Sequence, residues 1–187
     1  MARSPTGLKN RLLASALRLF SQRGFRGTSL ADIAADVGCS KASLLYHFST
    51  KEAILTELLL PIAEEAAALD ARLAPLDDRD VAEAAVTGFV DLTLRFRREV
   101  KLLFDNLADA TSLPALGIDG IEGLEDRLVD AMAGRSPEPR DRVAAHVALG
   151  GVFAAGAAAA DRLPFDDATL RESMITSALR ALGRTPA

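Results

Sequence analysis

The sequence has little of what metal proteins and secreted scaffolds use. Among 187 residues there are one cysteine, two histidines and no tryptophan. A single cysteine excludes an intramolecular disulfide framework and is typical of a reducing compartment. The two histidines, His47 and His146, are far apart in sequence and have no neighbouring ligand cluster, so we expect no metal site and no cofactor.

Catalytic motifs are missing as well. The sequence contains no Ser/His/Asp constellation, no Walker loop and no dinucleotide-binding glycine pattern. Carboxylate pairs such as Asp77-Asp78 and Asp166-Asp167 stand at predicted helix starts, where the helix dipole explains them. We therefore predict that the chain is not an enzyme and has no catalytic residues. The polar N-terminus has no signal peptide, which favours a cytoplasmic protein.

β-branched runs are almost absent, whereas 49% of the residues are hydrophobic and only 5% are aromatic. This composition favours packed helices rich in alanine and leucine over sheets. The sequence therefore predicts an all-α fold of about nine helices.

Residues 28–51 contain a helix, a glycine turn and a second capped helix. In the first helix, Leu30, Ile33, Ala34 and Val37 follow the i, i+3, i+4, i+7 spacing of one apolar face. Gly38 follows that stripe, where a residue without a Cβ can adopt positive φ. The small side chain of Ala34 lets the two helices approach closely.

Ser40 is the predicted N-cap of the second helix. Its Leu44 and Phe48 are expected to point inward, which leaves the other face outside or at the rim: Lys41, Ala42, Ser43, Tyr46 and His47. Such a helix can enter a major groove of DNA. Other short helical hairpins share these features, so DNA binding is a hypothesis at this point.

The flanking residues support a three-helix unit with a single core. A preceding helix of about residues 8–23 carries the stripe Leu13, Ala16, Leu17 and Phe20, and Gly24 is placed to end it. Either Thr28 or Ser29 can cap the next helix, and Thr50 caps the fourth. Residues 1–52 carry eight Lys/Arg against three Asp/Glu, a net charge of +5, whereas the remainder carries fourteen against 23, a net charge of −9. A polyanion would be drawn to the N-terminal end.

These residues resemble the TetR (tetracycline-repressor-like) family of bacterial transcriptional regulators. The resemblance is carried by the N-terminal quarter, namely residues 16–20, Gly24-Phe25, Thr28-Ser29, Ile33-Ala34, Val37-Gly38, Ser40-Lys41, Leu44, Tyr46-His47-Phe48 and Lys51-Glu52. Leu45 departs from the family, in which many members have a tyrosine that reaches a phosphate. The rest of the chain matches only in length and helical character.

The resemblance implies a helix-turn-helix DNA-binding domain at residues 1–50 and a helical ligand-binding and dimerisation domain at residues 51–187. It implies base-edge contacts from Lys41, Ala42 and Ser43, with Tyr46 as a further candidate. Phosphate contacts carried over from the family would come from Thr28, Ser40, Tyr46, His47 and Lys51. One short helix reads only a few base pairs. Two DNA-binding domains, or heads, related by a twofold axis are therefore expected to read a palindrome.

The middle helices are predicted at about residues 51–74, with a bend at Pro61, and at 77–98, 99–110 and 118–133, before a loop at 134–139. In the resembled family such helices enclose a small-molecule site, and binding there moves the two heads out of register. The lining candidates are Phe89, Leu92, Phe96, Leu103, Phe104, Asn106, Leu107, Leu128 and Met132. For each of them an ordinary core position is the stronger alternative.

Residues 143–160 approach the length of a membrane span. They are mostly alanine and glycine, and alanine contributes little to insertion. We therefore predict a buried helix and no membrane partner. Its small residues, with a second helix at about 166–182, match the pair that forms a four-helix dimer bundle in the resembled family: Ala144, Ala148, Gly151, Ala155, Ala158, Leu170, Met174, Ala178 and Leu182.

The sequence thus predicts a homodimeric repressor that binds a double-stranded DNA operator and is released by a small-molecule effector of unidentified structure. An activator with the same head is equally compatible with the sequence. The alternative from another class is an all-helical dimeric ligand-binding or scaffold protein whose head does not engage an operator.

Overall fold

The protein is described by a computed structural model that covers residues 5–106, 118–160 and 164–184. The described residues form nine α-helices and no strand, in agreement with the all-α prediction. In chain order the helices are α1 (Pro5–Arg23), α2 (Leu30–Val37), α3 (Lys41–His47), α4 (Lys51–Leu73), α5 (Val81–Arg95), α6 (Arg97–Asp105), α7 (Ile118–Met132), α8 (Pro139–Ala159) and α9 (Asp167–Ala181).

Helices α2 and α3 begin, and helices α1 and α2 end, where local capping signals predict, whereas α1 begins at Pro5, before the predicted start at about residue 8. Ser29 caps α2 in a complete capping box with Asp32, so Ser29 and not Thr28 is the cap. Gly38 adopts φ 71° after α2, and Gly24 adopts φ 75° after α1. The Ser40 and Thr50 side chains accept hydrogen bonds from the backbone N–H groups of Ser43 and Ala53.

Two hydrophobic clusters form the core. The first joins α1–α3 to the N-terminal half of α4 and extends into the body, where it includes Leu92, Val100, Leu102 and Ala157. The second joins the C-terminal half of α4 to α5, α7, α8 and α9. We call α1–α3 the head and α5–α9 the body. Because α4 contributes to both clusters, it connects the head to the body. The boundary at residue 50 stays a prediction, and apolar packing is continuous across it.

Several helix boundaries differ from the sequence prediction. Asp77 does not start a helix, because its Oδ1 accepts from the backbone N–H groups of Arg79 and Asp80 in a turn, and α5 begins at Val81. The break between α5 and α6 falls at Phe96, two residues before the predicted one. α8 begins at Pro139, in the predicted loop, with the proline in its first turn.

Among the described residues, α8 is the one helix that is long and apolar enough to cross a membrane. In its most apolar 18-residue stretch, 33% of the residues are buried within the protomer. It packs on α5, α6, α7 and α9. Gly156 lies where α8 meets α5, since a Cβ built there would be 2.9 Å from the Cβ of the fully buried Thr93. Neither Gly150 nor Gly151 has an atom within 4 Å of such a Cβ.

We expect Gly156→Ala to lower the free energy of unfolding by about 1–3 kcal/mol, because the methyl group would overpack against the stiff side chain of Thr93. Better helix propensity offsets at most about 1 kcal/mol of this. Urea unfolding followed by circular dichroism, at one protein concentration, measures the change. The control is Gly7→Ala in α1, where a Cβ meets nothing within 4 Å. Equal free energies of unfolding for Gly156→Ala and the unsubstituted protein would contradict the close approach.

Candidate nucleic-acid interface

Helix α3 presents one face to solvent and holds the other in the core. Leu44 is fully buried and Phe48, which ends the helix, is 4% exposed. Lys41 and Ala42 are exposed, and Ser43 and His47 lie at the rim. This is the arrangement predicted from the spacing of the apolar residues. It leaves the polar face exposed, so that the helix could enter a groove of DNA.

Tyr46 is the most exposed large side chain of α3, at 83%. Its ring meets the His47 ring edge to face, with the two centroids 5.2 Å apart. Leu45 is 43% exposed and offers an apolar surface where many family members have a tyrosine. A solvent-exposed aromatic ring with a free edge suits contact with sugars, phosphates or base edges.

The start of α3 carries a pair of hydroxyl groups. The Ser40 and Ser43 Oγ atoms lie 2.8 Å apart, and Ser40 Oγ also accepts from the Ser43 backbone N–H at 3.0 Å. Ser40 itself is exposed, and so is the next residue, Lys41. The hydroxyl groups and the Lys41 ammonium therefore stand together at the end of α3 that enters the groove in helix-turn-helix proteins.

Two of the expected phosphate contacts, Thr28 and Lys51, have their polar groups directed inward in this structure. Thr28 is only 2% exposed. Its hydroxyl is within donating distance of two carbonyl oxygens, that of Gly24 at 3.0 Å and that of Leu19 at 3.3 Å. Lys51 is half-buried, and its Nζ donates to the Phe25 carbonyl at 2.7 Å and lies 4.5 Å from the centre of the Phe25 ring. Both side chains hold the loop between α1 and α2, because their polar groups are directed inward.

Other cations of the head also have partners inside the protomer. Lys9 forms an ion pair with Glu57 at 2.5 Å, and Arg18 forms one with Asp36. Arg11 donates to the Val37 carbonyl at the C-terminal end of α2, where the helix dipole favours a positive charge. Lys41 is thus the exposed cation that α3 itself supplies.

The effector-site candidates are not brought together into one site. Leu92, Phe96 and Leu103 pack with the first cluster, Leu128 and Met132 with the second, and Phe89 with both. Phe104 is 48% exposed beside Phe153, and Leu107 lies outside the described residues. A surface cavity of about 430 Å³ between α4 and α5 is lined by only one of these candidates, Leu92.

Asn106 has a role that the sequence did not reveal. Its side chain is 9% exposed, and its Oδ1 accepts from the Phe25 backbone N–H at 3.1 Å. Its Nδ2 donates to the Leu102 carbonyl at 2.9 Å. Both ends of the amide therefore have a partner within the protomer, and Asn106 joins α6 to the head. No local signal predicts a partner 81 residues away in sequence.

The predicted dimer residues lie along an apolar groove of about 430 Å³ between α8 and α9. Six of them line it: Ala148, Gly151, Ala155, Leu170, Met174 and Ala178. Leu170, Met174 and Ala178 are buried within the protomer and form the floor. The outward row of α8 is instead Val143, Val147, Gly150, Gly151 and Ala154, with the two valines 63% and 62% exposed. Ala144, Ala158 and Leu182 are half-buried beside the groove.

No group of three or more His, Cys, Asp or Glu side chains is arranged to hold a metal in the part of the chain that the structure describes. Cys39 is half-buried in the turn between α2 and α3. The chemistry of this face is therefore that of hydrogen bonds, one exposed ammonium and aromatic contact, as in the DNA-reading unit of a helix-turn-helix protein.

Comparisons with known proteins agree with this class. The family described as "Bacterial regulatory proteins, tetR family" matches residues 12–58. The HTH-type transcriptional regulator RutR of Escherichia coli K12 is 40% identical over 101 residues, which cover 52% of this chain and 45% of RutR. The negative transcriptional regulator IcaR of the biofilm operon icaADBC, from Staphylococcus aureus Newman, is 47% identical over 47 residues, 25% of each chain. The chain thus spans less than half the length of RutR in this match.

The fold extends the likeness to nearly the whole chain. The TetR-family regulator PfmR from Thermus thermophilus superimposes with a TM-score of 0.69 over 95% of this chain and 100% of its own, at 20% sequence identity. Residues 12–58 thus match the TetR family of bacterial regulatory proteins, and the chain as a whole has the fold of solved TetR-family regulators.

Acid should weaken the packing of α2 on α1 through Asp36. Hydrogen bonds from Arg18 and from the Ser15 hydroxyl hold the pKa of this carboxyl below its usual value of 3.8. Because the pKa is lower in the folded state, the charged carboxylate stabilises the fold at pH values above about 3.8. This contribution to the free energy of unfolding is lost as the pH falls from about 3.8 through the lowered pKa. Asp36→Asn should therefore lose less stability than the unsubstituted protein over that pH range.

The urea midpoint measured as a function of pH tests this expectation. The curve of Asp36→Asn should stay sloped, because the pKa values of Asp32 and Asp166 are also lowered, by the hydroxyl and N–H groups that they accept from. If both proteins lose the same stability between about pH 5 and pH 2, the carboxylate of Asp36 does not supply the acid-sensitive contribution.

Proposed function

We propose that the protein is a cytoplasmic, homodimeric transcriptional repressor that binds a palindromic operator through α3. The observation that carries the proposal is the orientation of α3, whose apolar side is anchored by Leu44 and Phe48 while Lys41, Ala42 and Tyr46 project into solvent. The matched RutR and IcaR are transcriptional regulators, and IcaR is a negative one. The direction of control is proposed from that likeness.

In the proposed complex, Lys41, Ala42 and Ser43 contact base edges, and Ser40, Tyr46 and His47 contact the backbone. A lysine at a base edge reads the guanine O6 and N7 atoms, and the alanine methyl packs on a thymine methyl group. Hydroxyl and imidazole groups at the rim donate to phosphate oxygens and fix the register of the head. Thr28 and Lys51 support this surface from beneath.

Dimerisation is proposed through the groove between α8 and α9. An interior glycine costs a helix about 1 kcal/mol relative to alanine, and the protomer gives Gly150 and Gly151 no close neighbour that would offset this. A helix from a second copy that packs closely against these two glycines of α8 supplies such a neighbour. It would also cover Val143, Val147 and Phe165, which are all more than half exposed.

Effector control completes the proposal. Phe89 packs against both clusters, so a small molecule that enters between them would separate α5 from the elements that hold the head. A ligand acts only through its unequal affinity for the two states, and a coupling of about 1–3 kcal/mol lowers operator affinity roughly 5- to 150-fold. We therefore place the effector site at the junction of the two clusters.

Operator binding is tested with a site selected from bound genomic fragments. Lys41→Ala should weaken binding by about 1–3 kcal/mol, the usual discrimination of one base-edge contact, and Tyr46→Ala should weaken binding to all sequences alike, because Tyr46 is proposed to contact the backbone. Arg127→Ala is the control, because Arg127 is 57% exposed on α7 and pairs with Asp70 of α4, on neither α3 nor the proposed dimer groove. Fluorescence anisotropy at several salt concentrations should show log affinity falling by about 0.9 per phosphate contacted. A scaffold protein without an operator would give neither a preferred site nor that slope.

The dimer is tested by Val147→Asp, which places a carboxylate on the outward row of α8. Because Val147 is 62% exposed in the protomer, the fold should survive while the dimer dissociates. Sedimentation velocity and circular dichroism measure the two properties separately. Ala71→Asp, on an exposed position of α4, is the matched control and should remain dimeric. A stable dimer of Val147→Asp would place the interface elsewhere.

A further inference from the structure

Both backbone groups of Phe25 are held by side chains from outside the loop between α1 and α2. Asn106, at the end of α6, accepts from its N–H at 3.1 Å, and Lys51, at the start of α4, donates to its carbonyl at 2.7 Å. We call these three residues the Phe25 joint.

Phe25 and Asn106 are buried, Lys51 is half-buried, and contacts within the joint hold all three side chains. Phe25 is 6% exposed and its ring packs edge to face on Phe20, with centroids 5.2 Å apart. The Lys51 ammonium lies over the face of this ring. The Asn106 amide cannot turn over without losing two hydrogen bonds, because Nδ2 is bound to the Leu102 carbonyl. Buried backbone groups need such partners, since an unpaired one costs about 1–3 kcal/mol.

The joint lies where the head meets the body. Gly24 ends α1 and Ser29 caps α2, so Phe25 is in the segment that carries the chain from α1 to the helix-turn-helix. α6 otherwise contacts the head through apolar residues such as Val100 and Leu102. Apolar packing allows some sliding, whereas a hydrogen bond is directional. The Asn106 contact therefore fixes one orientation of the loop against α6.

We propose that Asn106 is a positioning residue for operator binding: it sets the angle between head and body through Phe25 and does not touch DNA. This rests on the proposed function, because two heads must meet half-sites about one helical turn apart at the same time. A head whose angle varies meets both half-sites in only a fraction of molecules, and operator affinity falls by that fraction.

The experiment measures the angle and the affinity separately. Spin labels on Gln22→Cys in α1 and Glu125→Cys in α7, both exposed positions, are placed in a Cys39→Ser background. The labelled full-length chain is mixed with excess unlabelled protein, so that pulsed electron paramagnetic resonance reports the distance within one protomer. This readout needs neither DNA nor a dimer, so it remains informative if the proposed function fails.

Asn106→Leu removes the acceptor for the Phe25 N–H and should broaden or shift the distance distribution and lower operator affinity about tenfold. Asn106→Asp keeps an acceptor for the Phe25 N–H but sets its second oxygen against the Leu102 carbonyl, so its distance distribution and affinity should lie between those of Asn106→Leu and the unsubstituted protein. Thr93→Val is the control for stability, since it removes a buried hydroxyl of α5 that donates to the Val90 carbonyl and not to a residue of the joint. It should leave the distance and the affinity unchanged.

An unchanged distance distribution in Asn106→Leu would overturn the proposal. So would an equal loss of affinity in Thr93→Val, because the role of Asn106 would then be stability alone. If Asn106→Leu does not fold, Asn106→Ala removes the same acceptor with a smaller side chain, and an unchanged distance in that variant overturns the proposal. If the unsubstituted protein shows no preferred DNA site, the proposed function fails, and the distance still decides whether Asn106 sets the angle.

Discussion

The exposed surface of α3 depends on the burial of its opposite side. A helix of seven residues is far below the roughly 12–15 residues at which an isolated helix becomes even marginally stable. Burying Leu44 and Phe48 in the core that α1, α2 and α4 share contributes about 1.5–3 kcal/mol for each side chain. Because these two residues stabilise the helix from within, its outer positions are free to carry side chains that would do nothing for folding. The exposed ring of Tyr46 is the clearest of these.

The sequence was most informative where the signals are local. The spacing of Ile33 and Val37, the positive φ of Gly38 and the cap at Ser40 all depend on residues within a few positions of one another, and the structure confirms each of them. The start of α5 was missed because Asp77 has the residue type of a helix cap. Its side chain instead closes a turn with Arg79 and Asp80, which is a choice between two local hydrogen-bond patterns that composition does not decide.

Functional roles were least predictable where the partner is distant in sequence. Lys51 and Asn106 meet at Phe25 although 55 positions separate them, and neither has a neighbour in the sequence that points to this meeting. The same limit applies to the glycines of α8. All three have similar neighbours along the chain, yet Gly156 meets Thr93 inside the protomer while Gly150 and Gly151 face outward. Only the packing of α5 against α8 separates these roles.

The net charge of the head overstates the positive surface that a polyanion meets. Lys9 and Arg18 are paired with carboxylates, although such exposed pairs are worth only about 0–1 kcal/mol, so a phosphate can replace the carboxylate at small cost. Lys51 differs, because its withdrawal would leave the Phe25 carbonyl without its ammonium donor. The cations are therefore graded in availability: Lys41 is exposed, the paired residues can be recruited, and Lys51 is retained. In the proposed complex, total charge draws DNA to this end of the molecule, and the side chains of α3 decide which sequence is held there.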